Sequence, residues 1–189
     1  MRKYLLQSYF LVDEFEEHNN IKQLLLDAIK NSKQESLTFE NSSDQINKLD
    51  WSEKYNFDRE WVQILYPKLF CKLTSMAKAI GFENAKINEL WFQQYIENDI
   101  HSWHGHGSNF TCVYYLEMDD DAPKTELIEP FSMDGKFTPE VKEGSIIVFP
   151  SYVVHRAPIV KHDTRKTIIA FNIDFEGITE EAKILYDSL

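Results

Sequence analysis

The sequence predicts an α+β fold in which helices come first and a strand-rich half follows. Three observations support this prediction. Apolar residues recur at helical spacing within the first 80 residues, short runs rich in β-branched and aromatic residues follow from residue 86, and Asn, Asp, Gly or Pro separates these runs. Five or six strands after helices favour a double-stranded β-helix (jelly-roll) core, with the N-terminal helices packed on one of its faces.

The first half of the chain is expected to support this core. Residues 4–12 predict an opening strand, and Asp13 is a candidate cap for a helix over 14–32. Residues 33–57 are polar and rich in turn formers, which predicts a long surface excursion. A second helical segment over 58–80 ends before a glycine, and Pro67 is expected either to kink that helix or to divide it in two.

The second half predicts the strands of the barrel and a closing helix. Residues 179–188 predict that helix, with Thr179 as its cap. The predicted strands are the runs INELWFQQYI, FTCVYYLEM, TELIEPF, GSIIVFP and RKTIIAFNIDF. We therefore expect a single domain over 1–189, divided into helical support and surface excursion (1–85), jelly-roll core (86–175) and C-terminal helix (176–189).

Composition and charge exclude several classes of protein. Hydrophobic residues make up 43% of the 189 residues and aromatic residues 14%, which excludes a disordered chain. The formal net charge of −11 argues against general nucleic-acid binding, because such binding depends on lysine and arginine contacts with phosphates. No apolar run approaches the length of a membrane span, and Gln7 and Ser8 interrupt the N-terminal run. We expect no signal peptide, no membrane partner and a cytoplasmic location, where Cys71 and Cys112 would be buried thiols.

Three of the six histidines lie within the stretch HSWHGH at residues 101–106. Side chains at positions i and i+2 of a strand share a face, so His104 and His106 can present two imidazoles to one ion. His155 follows an apolar strand about fifty residues later and supplies a third nitrogen ligand. Three protein ligands leave coordination positions open, as a catalytic metal site requires. His101 is an alternative ligand, although its i+2 neighbour Trp103 cannot bind a metal ion.

Arg165 begins the last predicted strand, ten residues after His155. A cation that enters a barrel is costly unless it is paired, so Arg165 is interpreted as a bidentate clamp on a carboxylate inside the barrel. Lys166 then points to the opposite face. Arg156 is a rival partner for an anion, and an edge arginine that points to solvent is the alternative interpretation of Arg165.

The ordered set HGH…VYYLE…GSIIVFPSYVVH…RKTIIAFNI resembles the iron(II)/2-oxoglutarate-dependent dioxygenases of the prolyl-hydroxylase type. It is most similar to the oxygenases of bacterial viruses and marine microbes, and the resemblance covers roughly residues 88–175. It implies Fe(II) as the metal, 2-oxoglutarate as cosubstrate, ascorbate as an accessory reductant and, for a viral protein, the host cytoplasm as location.

The resemblance also implies roles for individual residues. His104 and His155 correspond to the first and the distal iron ligand, and Arg165 corresponds to the residue that binds the C5 carboxylate of 2-oxoglutarate. Tyr115 corresponds to a tyrosine whose hydroxyl meets the same carboxylate, whereas Tyr114 would face the other side of the sheet. Thr167 shares the face of Arg165 and would add a hydroxyl near the cosubstrate.

One position departs from the family, which usually has a carboxylate where this chain has His106. Asp99 is a possible substitute, and we predict His104, His106 and His155 as the ligand set. The expected activity is hydroxylation of an unidentified small molecule, peptide or protein, with peptidyl proline as the first analogy. Residues 33–57 and 119–140, Trp91 and Trp103 are candidates to frame the entrance. The alternatives are a three-histidine cupin-type dioxygenase that does not use 2-oxoglutarate and a non-enzymatic jelly-roll binding module. The oligomeric state stays open.

Overall fold

The computed structural model describes residues 9–38, 44–130, 135–161 and 163–187, and the side chains of residues 37, 38 and 185–187 are not described. The helices are α1 (His18–Asn31), α2 (Glu60–Ala79) and α3 (Glu180–Asp187), and a short 3-10 turn spans Trp51–Glu53. The strands are β1 (Leu11–Glu14), β2 (Glu35–Thr38), β3 (Gln45–Leu49), β4 (Phe82–Tyr95), β5 (His101–His104), β6 (Phe110–Glu117), β7 (Glu126–Ile128), β8 (Lys136–Phe137), β9 (Ser145–Pro150), β10 (His155–Ala157) and β11 (Lys166–Ile178).

The strands form two antiparallel sheets. The major sheet has the order β1-β9-β6-β11-β4-β3-β2, and the minor sheet has the order β5-β10-β7-β8. Most neighbours in these sheets, such as β9 and β6 or β11 and β4, are distant in sequence, as in a jelly roll, whereas β2, β3 and β4 are consecutive, as are β7 and β8. The predicted α+β class and the strand-rich core are thereby confirmed.

Two apolar layers lie on the two faces of the major sheet. On the outer face, α1 and α2 contribute Leu25, Ile29 and Leu69, which pack against residues such as Phe92 and Phe171. On the inner face, the two sheets enclose a second cluster that includes Tyr95, Val113, Tyr115, Leu127, Phe149 and Ile168. Strands β4, β6 and β11 are therefore buried on both faces, which explains why their sequences read as continuous apolar runs.

A β-bulge in β4 separates its two halves. Glu89 is opposite Asn172 on β11, but the next pair joins Ile87 to Ile173, which leaves Asn88 as an extra residue. Because of this residue, Ile87 and Leu90 both belong to the apolar cluster under the helices. In chain order, Glu89 is therefore the first residue after the bulge, and its side chain is on the same face of β4 as those of Trp91 and Gln93.

The structure corrects several element predictions. Residues 33–57 are not a surface excursion alone, since β2 and β3 extend the edge of the major sheet. Helix α1 begins at His18 and lacks a side-chain cap, whereas Asp13 lies in β1 and pairs with Lys72. Helix α2 continues through Pro67 as one element. Cys71 is exposed, while Cys112 is buried as predicted.

The two predicted helix-end signals agree with the structure. Gly81 follows α2 with a φ of 90°, a conformation that favours glycine. The Ala182 amide donates a hydrogen bond of 3.3 Å to Thr179 Oγ1, so Thr179 caps α3. The residues of the predicted opening strand before residue 9 lie outside the described residues. Among those described, no helix combines the length and the apolarity needed to cross a bilayer.

Candidate metal centre

Three histidines converge where the minor sheet faces the major sheet. His104 ends β5 and His155 begins β10, and the two lie directly opposite each other in the antiparallel ladder. His106 belongs to the loop after β5, and its amide donates to the Ser151 carbonyl at 3.0 Å. One nitrogen of each ring lies within 4.8 Å of the others. The structure therefore brings the predicted set together, although the strand ends at His104 and does not continue through His106 as the pattern suggested.

Hydrogen bonds define which nitrogen atoms can meet an ion. The Nδ1 atoms of His104 and His155 lie 2.7 and 3.0 Å from the carbonyl oxygens of Ser102 and Val153. The Nδ1 atom of His106 lies 2.8 Å from Asn172 Oδ1. Because an oxygen of this kind only accepts, each Nδ1 carries the hydrogen and each Nε2 keeps its lone pair. Three Nε2 acceptors then converge, an arrangement that a cation stabilises.

Burial keeps these imidazoles neutral at physiological pH. Burial lowers the pKa of His155 to about 3, and the neighbouring His104 contributes in the same direction. Burial also lowers the pKa of His104 and of His106 below the ordinary value. The neutral imidazole is the form that binds metal ions, so less proton competition is expected here than at a surface histidine.

The two alternative ligands lie outside this cluster. The His101 ring stacks on the His104 ring with centroids 3.9 Å apart, and His101 is not part of the converging group. Asp99 Oδ2 accepts hydrogen bonds of 2.9 Å from the amides of Asn47 and Ile96. Asp99 therefore stabilises a turn between strands. His18 is a buried structural residue bonded to the Tyr114 hydroxyl at 2.7 Å, and His162 lies outside the described residues.

Arg165 and Thr167 do not reach the interior, contrary to the sequence prediction. Arg165 forms a bidentate ion pair with Glu117 at 2.8 and 2.6 Å, and more than half of its side chain is exposed. The Thr167 hydroxyl donates to the same carboxylate at 2.8 Å. Both residues share a face, as expected, but it is the face that points away from the histidines.

Lys166 occupies the interior instead. Its side chain is 1% exposed, and Nζ donates a 2.7 Å hydrogen bond to the Pro123 carbonyl. Nζ also lies 5.3 Å from the centre of the Tyr95 ring. No carboxylate of the described residues forms an ion pair with Lys166, and burial lowers its pKa to about 7. A buried ammonium without a counter-charge is unfavourable, and an anion inside the barrel would compensate it.

The remaining interior side chains add hydroxyl and indole groups. Tyr115 faces inward as predicted, with its hydroxyl donating to Thr125 Oγ1 at 2.8 Å, while Tyr114 faces the helices. The Trp91 ring lies 5.9 Å from that of His106 and is 4% exposed. Among the described residues no acceptor meets its Nε1, which leaves a buried donor free beside the histidines.

Comparisons with known proteins show which fold surrounds this site. No family model and no curated protein matches the sequence. A 2OG-Fe(II) oxygenase family oxidoreductase from Burkholderia pseudomallei matches with a TM-score of 0.70 at 9% identity, covering 92% of this chain and 88% of that one. HygX from Streptomyces hygroscopicus, solved with nickel and 2-oxoglutarate bound, gives 0.64 at 9% identity over 92% and 85%. A prolyl-4-hydroxylase from Pseudomonas putida gives 0.59 at 15% identity over 89% and 93%. The fold is that of the 2-oxoglutarate–iron(II) oxygenases.

Within this oxygenase fold, sequence reasoning missed three interior residues. Lys166 and Asn172 follow the same alternation as Ile168 and Ala170, so assigning the correct face to β11 would have found both. The sequence interpretation of Trp91 did not include a contact with His106. Its position beside His106 depends on how β4 and the histidine loop pack together, and the sequence carries no signal for that contact.

Proposed function

We propose that the protein is an Fe(II)- and 2-oxoglutarate-dependent dioxygenase that hydroxylates a peptide or protein side chain, with peptidyl proline as the first candidate. The single observation that carries this proposal is the buried, unpaired Lys166 ammonium in the same barrel interior as three converging imidazoles. A metal site alone needs no buried cation, whereas a metal site with an anionic cosubstrate does.

The donor set suits iron and 2-oxoglutarate. Fe(II) accepts imidazole ligands, and three of them leave positions for a chelating cosubstrate and for dioxygen. Three neutral ligands supply no negative charge, so the C1 carboxylate of a chelating 2-oxoglutarate would bring negative charge to the ion, while its C5 carboxylate would pair with Lys166. Bound together, iron and 2-oxoglutarate supply the oxidising chemistry, in which decarboxylation to succinate accompanies transfer of one oxygen atom of dioxygen to a C–H bond.

The protein would contribute binding, orientation and exclusion of water. His104, His106 and His155 would hold the ion, and Lys166 would hold the C5 carboxylate in place of the predicted Arg165. The free Trp91 N–H would donate to an oxygen atom of the ligand bound at the ion. Ascorbate is part of this proposal only as an accessory reductant.

Side chains must move to admit the cosubstrate. The cavity at the histidines measures about 30 Å³, which is room for about one water. Lys166 Nζ is held by the Pro123 carbonyl, so binding requires it to exchange this acceptor for a carboxylate. The hydrogen bond to a charged carboxylate is stronger than the one to a neutral carbonyl, so the exchange is favourable once the water around the ligand has been removed.

A larger cleft provides the route for a substrate. It measures about 530 Å³ and is lined by residues that include Pro123, Lys124, Glu126, Arg156 and Ile159. Arg156 also lines the histidine cavity, where its guanidinium pairs with Glu126 at 2.7 Å and lies 4.6 Å from the centre of the Trp103 ring. Arg156 therefore lies between the cleft and the proposed iron site, and its guanidinium packs over the Trp103 ring.

The three-histidine set also favours a second candidate, a cupin-type dioxygenase that binds its substrate directly to iron. Such an enzyme has no use for the buried Lys166 ammonium. An anaerobic titration with Fe(II) and then 2-oxoglutarate separates the two. A weak visible charge-transfer band that requires both additions, with succinate released after oxygen is admitted, supports the proposal. Iron binding without the band favours the second candidate, and absence of iron binding leaves a non-enzymatic binding module.

A further inference from the structure

A chain of hydrogen bonds connects His106, through Asn172 on β11, to the carboxylate of Glu89 on β4. His106 Nδ1 lies 2.8 Å from Asn172 Oδ1, and Asn172 Nδ2 donates to Glu89 Oε2 at 2.6 Å. On the far side, the Tyr55 hydroxyl donates to Glu89 Oε1 at 2.6 Å and Lys54 Nζ lies 3.1 Å from the same oxygen. The chain thus runs from the candidate metal ligand to a partly buried ion pair at the surface.

The chemistry of these groups fixes the direction of every bond. An ionised carboxylate only accepts, so Asn172 must turn its amino group to Glu89 and its carbonyl oxygen to His106. The His106 ring must then donate from Nδ1, which leaves Nε2 as the free lone pair. Burial raises the pKa of Glu89, but hydrogen bonds from Tyr55, Asn172 and Lys54 outweigh this effect and hold it below the usual value. Glu89 is therefore ionised at neutral pH.

His106 needs this support more than the other two histidines do. The rings of His104 and His155 are oriented by backbone carbonyls two residues before them on their own segments. His106 lies in a loop, and its orienting partner comes from the opposite sheet.

We propose that Glu89, acting through Asn172, is the positioning residue that fixes His106 as the third ligand and supplies the negative charge that the ligand itself lacks. This inference rests on the proposed metal site. Partners of this kind raise the basicity of a ligand histidine, and their loss lowers metal affinity by roughly 10- to 100-fold.

The same pair of strands offers a matched control. Asn88 Nδ2 donates to Asp174 Oδ2 at 2.8 Å, which is also an amide–carboxylate bond between β4 and β11. Unlike the bond between Asn172 and Glu89, this bond does not lead to His106. Glu89→Gln and Asp174→Asn each remove one carboxylate charge from this strand pair, so they separate an effect on His106 from a general effect on the sheet.

The test is an anaerobic titration with Co(II), followed by its visible absorption, on the wild type and both variants. Glu89→Gln is expected to weaken Co(II) binding by about 10-fold or more, whereas Asp174→Asn stays within about twofold of the wild type on the same scale. The double variant Glu89→Gln with Asn172→Asp exchanges the amide and the carboxylate, keeps every hydrogen bond, and is expected to restore the affinity.

Two results would overturn the inference, and they differ from failure of the proposed function. Equal affinities for Glu89→Gln and Asp174→Asn would show that Glu89 does not act on the ion, even if both variants melt at a lower temperature. Failure of the double variant to regain affinity while it remains folded would exclude the relay. If the wild type itself binds no Co(II), the metal site and the inference fall together.

Discussion

Arg165 and Lys166 are neighbours in sequence whose charged ends lie on opposite faces of β11. The Arg165 guanidinium pairs with Glu117 at the surface, while Lys166 Nζ donates to the Pro123 carbonyl inside the barrel. The two cations therefore have different solvation and different uses. Arg165 is already paired and solvated, whereas Lys166 gains a counter-charge only from a ligand.

Replacement of Lys166 tests this assignment most directly. Lys166→Met removes the ammonium but keeps most of the buried volume, so the apoprotein is expected to be at least as stable as the wild type. The affinity for 2-oxoglutarate should fall by at least about 30-fold, since a buried charge pair that loses one partner costs roughly 2 kcal/mol or more. Calorimetric titration of the Mn(II)-loaded protein measures the loss. Arg165→Ala is the control, and the opposite ranking of the two variants would restore the original assignment of Arg165.

The pH dependence of cosubstrate affinity gives an independent test. Burial lowers the pKa of Lys166 to about 7 in the free protein. The C5 carboxylate of 2-oxoglutarate would pair only with the protonated lysine. Affinity should therefore be greatest below pH 7 and fall by up to about tenfold per pH unit above it. Proton uptake on binding at pH 8, measured in buffers of different ionisation enthalpy, checks the sign. A guanidinium anchor stays charged throughout, so a flat profile would exclude Lys166.

The choice between these two residues could not be made from the sequence. Alternation in a strand shows that Arg165 and Lys166 face opposite sides of the sheet. Which side is the inner one can be read from the sequence only where one face is apolar and the other is polar. In β11 both faces are apolar, since Ile168 and Ala170 point inward and Ile169 and Phe171 point to the helices. The ordered set of histidines and strands was therefore predictable, and the side of the sheet was not.

Metal content of single histidine variants tests the ligand set. His104→Ala, His106→Ala and His155→Ala should each lower the stoichiometry or the affinity for Fe(II), because each removes one of three nitrogen donors. His101→Ala should retain one equivalent, since the His101 ring stacks on the His104 ring and is not one of the three converging imidazoles. Metal analysis after gel filtration provides the measurement. Loss of iron from His101→Ala together with retention by His106→Ala would replace His106 with His101.

Trp91→Phe tests the free indole N–H beside His106. The substitution should lower 2-oxoglutarate affinity by about tenfold, because a hydrogen bond to a charged oxygen contributes roughly 1.5 kcal/mol or more. Trp61→Phe is the control, as Trp61 Nε1 donates to Asp50 Oδ2 at 3.0 Å on the helix side of the sheet. That variant should be less stable but bind the cosubstrate normally. Unchanged affinity in Trp91→Phe would show that its donor does not meet the ligand.

The elements that sequence reasoning missed share a physical cause. Strands β2 and β3 lie at the edge of the major sheet, and their residues are mostly polar, such as Glu35 and Lys48. An edge strand needs backbone partners rather than an apolar face, so hydrophobic periodicity does not reveal it. His106 was assigned to a strand for the converse reason, since a regular alternation was assumed through Gly105, where the strand has already ended.

After the bulge at Asn88, the number of residues from Glu89 to Tyr95 determines which side chains of β4 face the histidines. Removal or insertion of one residue between Glu89 and Tyr95 would exchange the two faces of this segment. Leu90 and Phe92 would then point towards the three histidines, and Trp91 would point towards the helices. Point substitutions in this segment change one contact at a time, but a change of length changes all of them at once. Homologues that retain the chemistry should therefore vary in the loops around β4 and keep the number of residues from Glu89 to Tyr95 constant.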